Sequence, residues 1–444
     1  MATVLALDVG SSSVRAQLFD EQAEPVDERR QERYDGGDPE EIVRLVSEVI
    51  GGRDEGVDAV GTSCFGHSLI ALDAADRPLT PVLGWRDTRS AEAAAWLRRR
   101  VDPGAVQART GAHLHPSFWP AKLAWLAEAE PEVFRSAARF VSFCDYLYAQ
   151  LHGAPHGAMP TTSSSIASGT GLLDLTTGAW DAELLEVLQV DEERLPALSN
   201  EPQAGWYPAL IDGACSNLGA GCVGRARAAL MIGTSGALRI LYETERPQPR
   251  PGLFLYVLDE RRVVEGGALS DGGNLHAWLN ETLAPSEGSV LERGPDEHGL
   301  TFLPFLGGER SIGWDPDAKG SIAGLTFETT PRDIRQAALE GVGFRFAAIV
   351  ERLPEVEDIV ATGGGLYSDP DWIQLMADTL ARPVTASGVD EASLRGAAVA
   401  TLERLGHEAA AAPLGAVFRP RQDRADAYRS ARERQQQLYE VLNG

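Results

Sequence analysis

One short pattern is used twice in this chain, and that repetition limits its folds more than any other feature. Near the start, the apolar run Val4–Leu7 ends in Asp8, a Gly/Ser turn follows, and alternation resumes from Val14 to Asp20. Much later, Ala228–Ile232 is apolar, Gly233-Thr-Ser-Gly236 turns, and Ala237–Tyr242 is apolar again with one arginine. An apolar run, a turn of small residues and a second run read as strand, tight turn, strand. Ile359–Gly365 is a further strand, running into a triple-glycine turn. Helical spacing predicts helices over Ala91–Arg100, Pro120–Ala129, Val141–Leu151, Arg332–Leu353, Asp371–Leu380, Ala392–Leu405 and Asp423–Leu442. The last of these is charged and reads as a solvated surface helix. Thr161–Thr170 reads as a loop or short hairpin. Strands mixed with helices imply α/β layers. The repeated unit then stands at the root of each of two lobes, although two simple hairpins would share the pattern. A boundary near Gly219–Gly224 gives domains 1–221 and 222–444.

Composition removes several classes of function. The 444 residues carry 65 Asp and Glu against 40 Lys and Arg, a formal net charge of -25. That excludes a basic nucleic-acid footprint, and an acidic membrane surface would repel the chain. It does not exclude an anionic ligand held by backbone amides, a metal ion and a few arginines. No apolar run approaches the ~18 residues of a spanning helix. Cys64, Cys144, Cys215 and Cys222 form no CxxC pair, and Val4–Leu7 is too short for a secretory leader, so a cytoplasmic location is expected. The eight histidines form no HExxH or Cys/His cluster, which argues against structural zinc.

Three turns are candidate phosphate nests: Gly10-Ser-Ser-Ser13, Gly233-Thr-Ser-Gly236 and Gly363-Gly-Gly365. Each follows an apolar run, and each alone also reads as a plain tight turn. A Walker lysine motif is absent. Asp8 ends its strand, where a carboxylate either holds Mg²⁺ through water or caps the turn. A sugar needs carboxylates, arginine forks and an aromatic wall. Leu83–Arg89 packs Trp85, Asp87 and Arg89 into five residues, and His67 precedes an apolar run. A surface turn and a core histidine would look the same. Asp212 precedes Gly213 and a small-residue stretch, which suits a carboxylate accepting a hydroxyl proton in phosphoryl transfer. A bland Asp-Gly turn is the other reading.

Taken in order, these segments resemble the FGGY carbohydrate kinases, in the superfamily that also holds actin and the heat-shock chaperone ATPases. Asp8–Arg15 looks like the first phosphate motif, and Ile232–Arg239 like the second. His67-Ser68 and Trp85–Arg89 look like sugar-site segments, Asp212–Gly219 like the catalytic-base motif, and Ala361–Asp378 like the nucleotide-binding stretch. Phe302–Arg310 is a familiar second-lobe segment. The resemblance covers nearly the whole chain. It implies two actin-like, ribonuclease H-like lobes with a nucleotide/sugar cleft between them, and ATP with Mg²⁺ as cofactors. It implies Asp8 as the residue orienting Mg²⁺ through water. Gly10, Ser11, Ser12, Ser13 and Arg15 fall on the phosphates, as do Gly233 and Thr234. Gly364 and Gly365 fall by the adenosine. Asp212 falls as general base, and His67, Trp85, Asp87 and Arg89 on the sugar.

Within the family, Trp85–Ser90 and Thr110–Pro116 look most like the gluconokinase branch, which adds His115 to the sugar site. D-gluconate is the first expected substrate. Gly66, where that branch and the xylulokinases usually carry methionine, and Arg86, in place of a small residue, keep a xylulokinase-like or other ketose or polyol kinase open. A non-catalytic sugar-binding descendant would be expected to lose Asp212 or Asp8, and both are present. An actin-like or chaperone-like ATPase would lack the sugar segments. The expected partner is a small sugar or sugar acid, with neither nucleic acid nor membrane, and a homodimer is left open.

Overall fold

The computed structural model describes residues 2–153, 160–285, 288–367 and 370–443. Two compact units divide the chain, and they interleave. The first takes the residues up to Gly221 with Leu241–Glu265 and Glu391–Ala412. The second takes Cys222–Ile240, Gly266–Asp390 and the residues from Pro413 onward.

The first unit is built on a five-stranded sheet. Its strand order is Leu210–Ile211, Ala59–Cys64, Val4–Val9, Ser13–Phe19, Arg30–Arg33. Every residue of Val4–Val9 is buried, as befits a central strand covered on both faces. This strand pairs antiparallel with Ser13–Phe19 across the first Gly/Ser turn, and parallel with Ala59–Cys64. Ala59–Cys64 in turn pairs parallel with Leu210–Ile211. Three neighbouring strands therefore run the same way, and their carboxyl ends face one edge.

The helix Ala392–Arg404 shows why a late segment joins this unit. A Cβ on Gly396 would stand 1.9 Å from the Cys215 carbonyl oxygen, and one on Gly219 would stand 1.8 Å from that of Ala392. The helices Asp212–Gly219 and Ala392–Arg404 thus cross backbone to backbone, which only glycine permits. Leu394, Ala397 and Ala398 of the later helix also pack with Ala6 of the sheet and with Cys215. Arg395 ties the crossing by donating to the carbonyls of Gly219, at 2.9 Å, and Ala410, at 2.5 Å.

In the second unit, Gly224–Ile232 pairs parallel with Asp358–Thr362, which pairs parallel with Val384–Ser387. Leu414–Phe418 closes that side antiparallel. The long helix Pro331–Val350 begins at a Thr330/Asp333 capping box and a proline in its first turn.

Most helices fall within a few residues of their expected bounds, and three segments differ in detail. Thr161–Thr170 forms a two-residue strand and then a short helix, Ser164–Ser168, capped by Ser163. Val141–Leu151 divides into the strand Arg139–Val141 and the helix Phe143–Leu151, because Ser142 and Asp145 form a capping box. The charged helix Gln422–Asn443 is anchored rather than wholly solvated: Tyr428 donates to Glu340 at 3.1 Å and Gln435 to the Phe302 carbonyl at 2.7 Å. Among the described residues, no helix is long and apolar enough to cross a membrane.

Candidate functional site

In the first unit the polar candidates gather at the carboxyl ends of the parallel strands, the usual ligand edge of α/β sheets. Register places Asp8 beside Ser63, and Ser63 beside Leu210. Asp212 follows two residues on, as the first residue of its helix, and its carboxylate accepts from the Gly213 N–H at 2.7 Å. Asp8 is 4 % exposed. One of its oxygens accepts from Ser63 Oγ at 2.8 Å and the other from Arg15 at 2.7 Å. Burial raises the Asp8 pKa, against the opposing charge of Arg15 and the hydrogen bonds. The Cys215 and Cys64 thiols are pushed up by burial first, and the charge of Asp212 adds to both. Cys64 pairs with Ile211, which places Asp212 at the same sheet edge. The turn itself is closed by Gly10 N–H donating to Ser13 O at 2.9 Å, with Ser11 and Ser12 exposed and Ser13 buried.

The sugar candidates lie on three loops of this unit. His67 sits at φ 67°, in the left-handed region that a residue with a side chain rarely adopts. Its Nδ1 lies 2.5 Å from the Gly169 carbonyl, which can only accept, so Nδ1 carries the proton in the neutral ring. Phe118 and Tyr256 wall it, with ring centroids at 4.8 Å and 5.5 Å. His115 is buried, and its Nδ1 accepts from the Ser117 N–H at 3.2 Å. The same Nδ1 lies 3.1 Å from Ser117 Oγ, so Ser117 orients this ring through both its backbone and its side chain. Ser117 Oγ donates to Trp85 O at 3.0 Å, tying the His115 loop to the Trp85 turn. Arg86 covers Trp85, its guanidinium 4.8 Å from the ring centroid. Asp87 and Arg89 pair with each other, Nε at 3.0 Å and Nη2 at 2.5 Å, and exposed Arg89 also lies over Trp125. Burial pushes the Asp87 carboxyl up, but the Arg89 bonds outweigh it and the net shift is down.

In the second unit the strand ends carry glycine. Met231 pairs with Thr362, so the Gly233 turn and the triple-glycine turn leave adjacent parallel strands side by side. Gly233 N–H closes its own turn on Ser235 O at 2.9 Å, and Thr234 is exposed. A Cβ on Gly365 would lie 2.8 Å from Ile232 O and 2.9 Å from Gly233 O. Gly363, at φ 89°, would meet Ile232 O at 2.6 Å. Gly364 is exposed and has nothing within 4 Å. Residues 368 and 369 of the Ala361–Asp378 stretch lie outside the described residues.

A third glycine segment joins this turn. Gly273 N–H donates to Gly233 O at 2.8 Å, and Asn274 N–H to Thr234 O at 3.0 Å. Its signal was present in the sequence: the apolar run Val263–Leu269 leads into Asp271-Gly-Gly-Asn274, the same grammar as the other turns. Asp271 is 1 % exposed, and burial pushes its pKa to about 7, against the Gly307 and Leu306 backbone N–H groups. Elsewhere in this unit, Asp296, His298 and Glu340 have metal-like spacing. Leu300 N–H donates to His298 Nδ1 at 2.9 Å and Nε2 lies 2.9 Å from Glu340, so both ring nitrogens are already engaged.

Two family profiles cover most of the chain: the N-terminal domain of the FGGY family of carbohydrate kinases matches residues 3–205, and its C-terminal domain matches residues 228–402. The chain belongs to the FGGY family of carbohydrate kinases. It is similar to the gluconokinase of Bacillus subtilis (strain 168), 28% identical over 96% of this chain and 93% of that one. It is similar also to the xylulose kinase of Escherichia coli (strain K12), 28% identical over 84% of each. Among solved structures, a ligand-bound xylulose kinase from Lactobacillus acidophilus superimposes with TM-score 0.89 at 26% identity, over 100% of this chain and 98% of that one. A gluconate kinase from Lactobacillus acidophilus superimposes with TM-score 0.88 at 26% identity, over 99% and 98%. The protein is thus an FGGY carbohydrate kinase, a phosphotransferase with the mixed helix-and-sheet, two-domain actin-like fold of that family. ATP use is expected of it as of the family, and a sugar or sugar acid is its expected substrate.

Sequence reasoning missed two features of this FGGY kinase. One is the Gly272-Gly273 segment. The other is Lys122, which is buried in the helix Trp119–Ala129 and which amphipathic spacing places there without assigning it a task.

Proposed function

We propose that this kinase transfers the terminal phosphoryl group of ATP to a primary hydroxyl of a small open-chain sugar acid, D-gluconate first, giving 6-phosphogluconate. The observation that carries the reading is Asp212, a carboxylate just past the strand Leu210–Ile211, on the carboxyl edge of three parallel strands whose third member, beyond Ala59–Cys64, carries Asp8. In this reading Asp212 takes the hydroxyl proton as the acceptor oxygen bonds to phosphorus and the bond to the ADP oxygen breaks. The candidate acceptor residues are His67, Trp85, Asp87, Arg89 and His115. Gly10, Ser11, Ser12, Ser13 and Arg15 are the candidate phosphate residues of the first unit. Gly233, Thr234, Gly364 and Gly365 are the candidate nucleotide residues of the second.

Magnesium fits Asp8 only through water. Both carboxylate oxygens are engaged, by Ser63 and Arg15, so a direct metal bond would displace one of them. A bound Mg²⁺ would supply charge neutralisation on the phosphates. All four cysteine thiols are buried, which supports a cytoplasmic setting.

Gluconate is favoured by the gluconokinase relative, by Trp85–Ser90 and by His115. A xylulokinase-like or other ketose or polyol kinase activity is the second reading, supported by the xylulose kinase relatives and kept open by Gly66 and Arg86, which depart from the gluconokinase branch. At Gly66 the space a larger side chain would fill is taken by Ile211, whose Cδ1 would lie 2.7 Å from a Cβ. A panel of sugars and sugar acids in one ATP-consumption assay tests both. Gluconate-dependent consumption is expected, and consumption with xylulose but not gluconate overturns the first choice.

A further inference from the structure

Lys122 is 1 % exposed, yet it is a cation. Its Nζ donates to three backbone carbonyls: His67 O at 2.5 Å, Ser117 O at 2.9 Å and Leu83 O at 3.0 Å. Taking an ammonium out of water is costly unless its protons are matched. Three carbonyls match three N–H groups, so the cage is complete only for the charged form. The carbonyls come from three different loops. One carries His67, one leads directly into Trp85 and Asp87, and one begins at His115. The bond to His67 O also holds the peptide after His67, whose left-handed φ of 67° needs such support. Other bonds lace the same loops in pairs, such as Ser117 Oγ to Trp85 O at 3.0 Å and Leu83 N–H to Leu69 O at 2.9 Å. Lys122 alone among these donors reaches all three.

We propose that Lys122 is a positioning residue for the acceptor side of this kinase: its ammonium sets the three loops that carry His67, Trp85 and His115. It touches no acceptor itself. The inference rests on the reading of those residues as the sugar-binding set. A second consequence follows from its burial, which pulls its pKa down to about 7 while the charge of Asp87 opposes the shift. A neutral amine has two N–H groups, so losing the proton releases one loop. Asp87, paired with Arg89, is the charged group facing Lys122, and His67 and His115 are the titratable side chains on the loops it holds.

The test uses the full chain and the acceptor that the wild-type enzyme phosphorylates in the panel above. Lys122→Met keeps the length of the side chain and removes the three donors. The acceptor KM is expected to rise about tenfold or more, the equivalent of one charge-assisted bond, while the ATP KM stays within about twofold. Equal rises in both KM values, or an unchanged acceptor KM in a folded variant, overturn the proposal. Where Lys122→Met does not fold, the wild-type pH profile decides. The acceptor KM should climb above about pH 7 with the ATP KM level, and two flat profiles overturn the proposal. A wild-type enzyme that phosphorylates no sugar or sugar acid sinks the underlying reading, and this inference with it.

Discussion

The strand ends of the two units solve one problem with opposite materials. In the first unit they carry side chains that hold one another: Asp8 with Arg15 and Ser63, and Asp212 opening its helix. In the second they carry Gly233, Gly273, Gly363 and Gly365, and the nearest neighbours of those last three are carbonyl oxygens. The first unit thus presents chemical groups, and a substitution there changes what the group can do. The second presents backbone, and at Gly273, Gly363 and Gly365 a side chain would intrude on it. The sharpest way to break this comparison is Asp212→Asn, which keeps shape and removes the base. Turnover is expected to fall on the order of a hundred- to ten-thousandfold, with ATP affinity by calorimetry kept within about twofold. Wild-type turnover in that variant would remove Asp212 from the mechanism.

The second unit should respond to one carbon atom. A Cβ on Gly273 would stand 2.4 Å from Gly233 O, a backbone atom with nowhere to go. Gly273→Ala and Gly365→Ala should therefore displace the turn, at about 1–3 kcal/mol of overpacking. The ATP KM is expected to rise about tenfold, with the acceptor KM unchanged. Gly364→Ala, with nothing within 4 Å, should behave like wild type. If the three variants prove alike in steady-state assays, close backbone packing is not what the glycines serve.

What the sequence disclosed follows the same division. The strand–turn–strand units were legible because alternation and small-residue turns are local. The Asp271-Gly-Gly-Asn274 turn had the same grammar, but its partner, the Gly233 turn, is distant in sequence and only folding unites them. The association of Ala392–Arg404 with Asp212–Gly219 rests on Gly396 and Gly219, whose need for close approach no spacing rule conveys. His115 was found through family resemblance alone. A lysine in a helix reads as solvated, so the carbonyl cage of Lys122 left no trace in the pattern.

Asp271 is the exception that sharpens the contrast, a carboxylate among the glycines of the second unit. Its pKa lies at about 7 in the folded chain, above the ordinary 3.8. From about pH 4 upward the unfolded chain loses this proton first, so stability falls as pH rises, and the full cost is present above about pH 7. By linkage that cost is at most about 4 kcal/mol. Asp271→Asn should raise the melting temperature near pH 8, with the gain shrinking towards about pH 5. Scanning calorimetry at several pH values checks this. A gain that is constant with pH would mean that the carboxyl stays ionised.

Among the substitutions expected to cost activity, the smallest loss falls where a glycine of the first unit meets a side chain instead of a carbonyl. A Cβ on Gly66 would lie 2.7 Å from Ile211 Cδ1 and 3.1 Å from its Cγ1, and a Cβ on Gly169 would reach the same Cδ1 at 2.7 Å. That methyl group is the far end of a flexible side chain and can swing away, unlike the oxygens around Gly273. Ile211 immediately precedes Asp212, so any push on it passes to the proposed base. Gly66→Ala should therefore lower kcat/KM for the acceptor by less than about tenfold, or ~1.4 kcal/mol. Ile211→Val deletes the Cδ1 methyl, so the double variant should recover towards wild type, a coupling that a double-mutant cycle measures. Additive losses would mean that Gly66 and Ile211 act separately, and that the small residue before His67 does not bear on acceptor choice through the base.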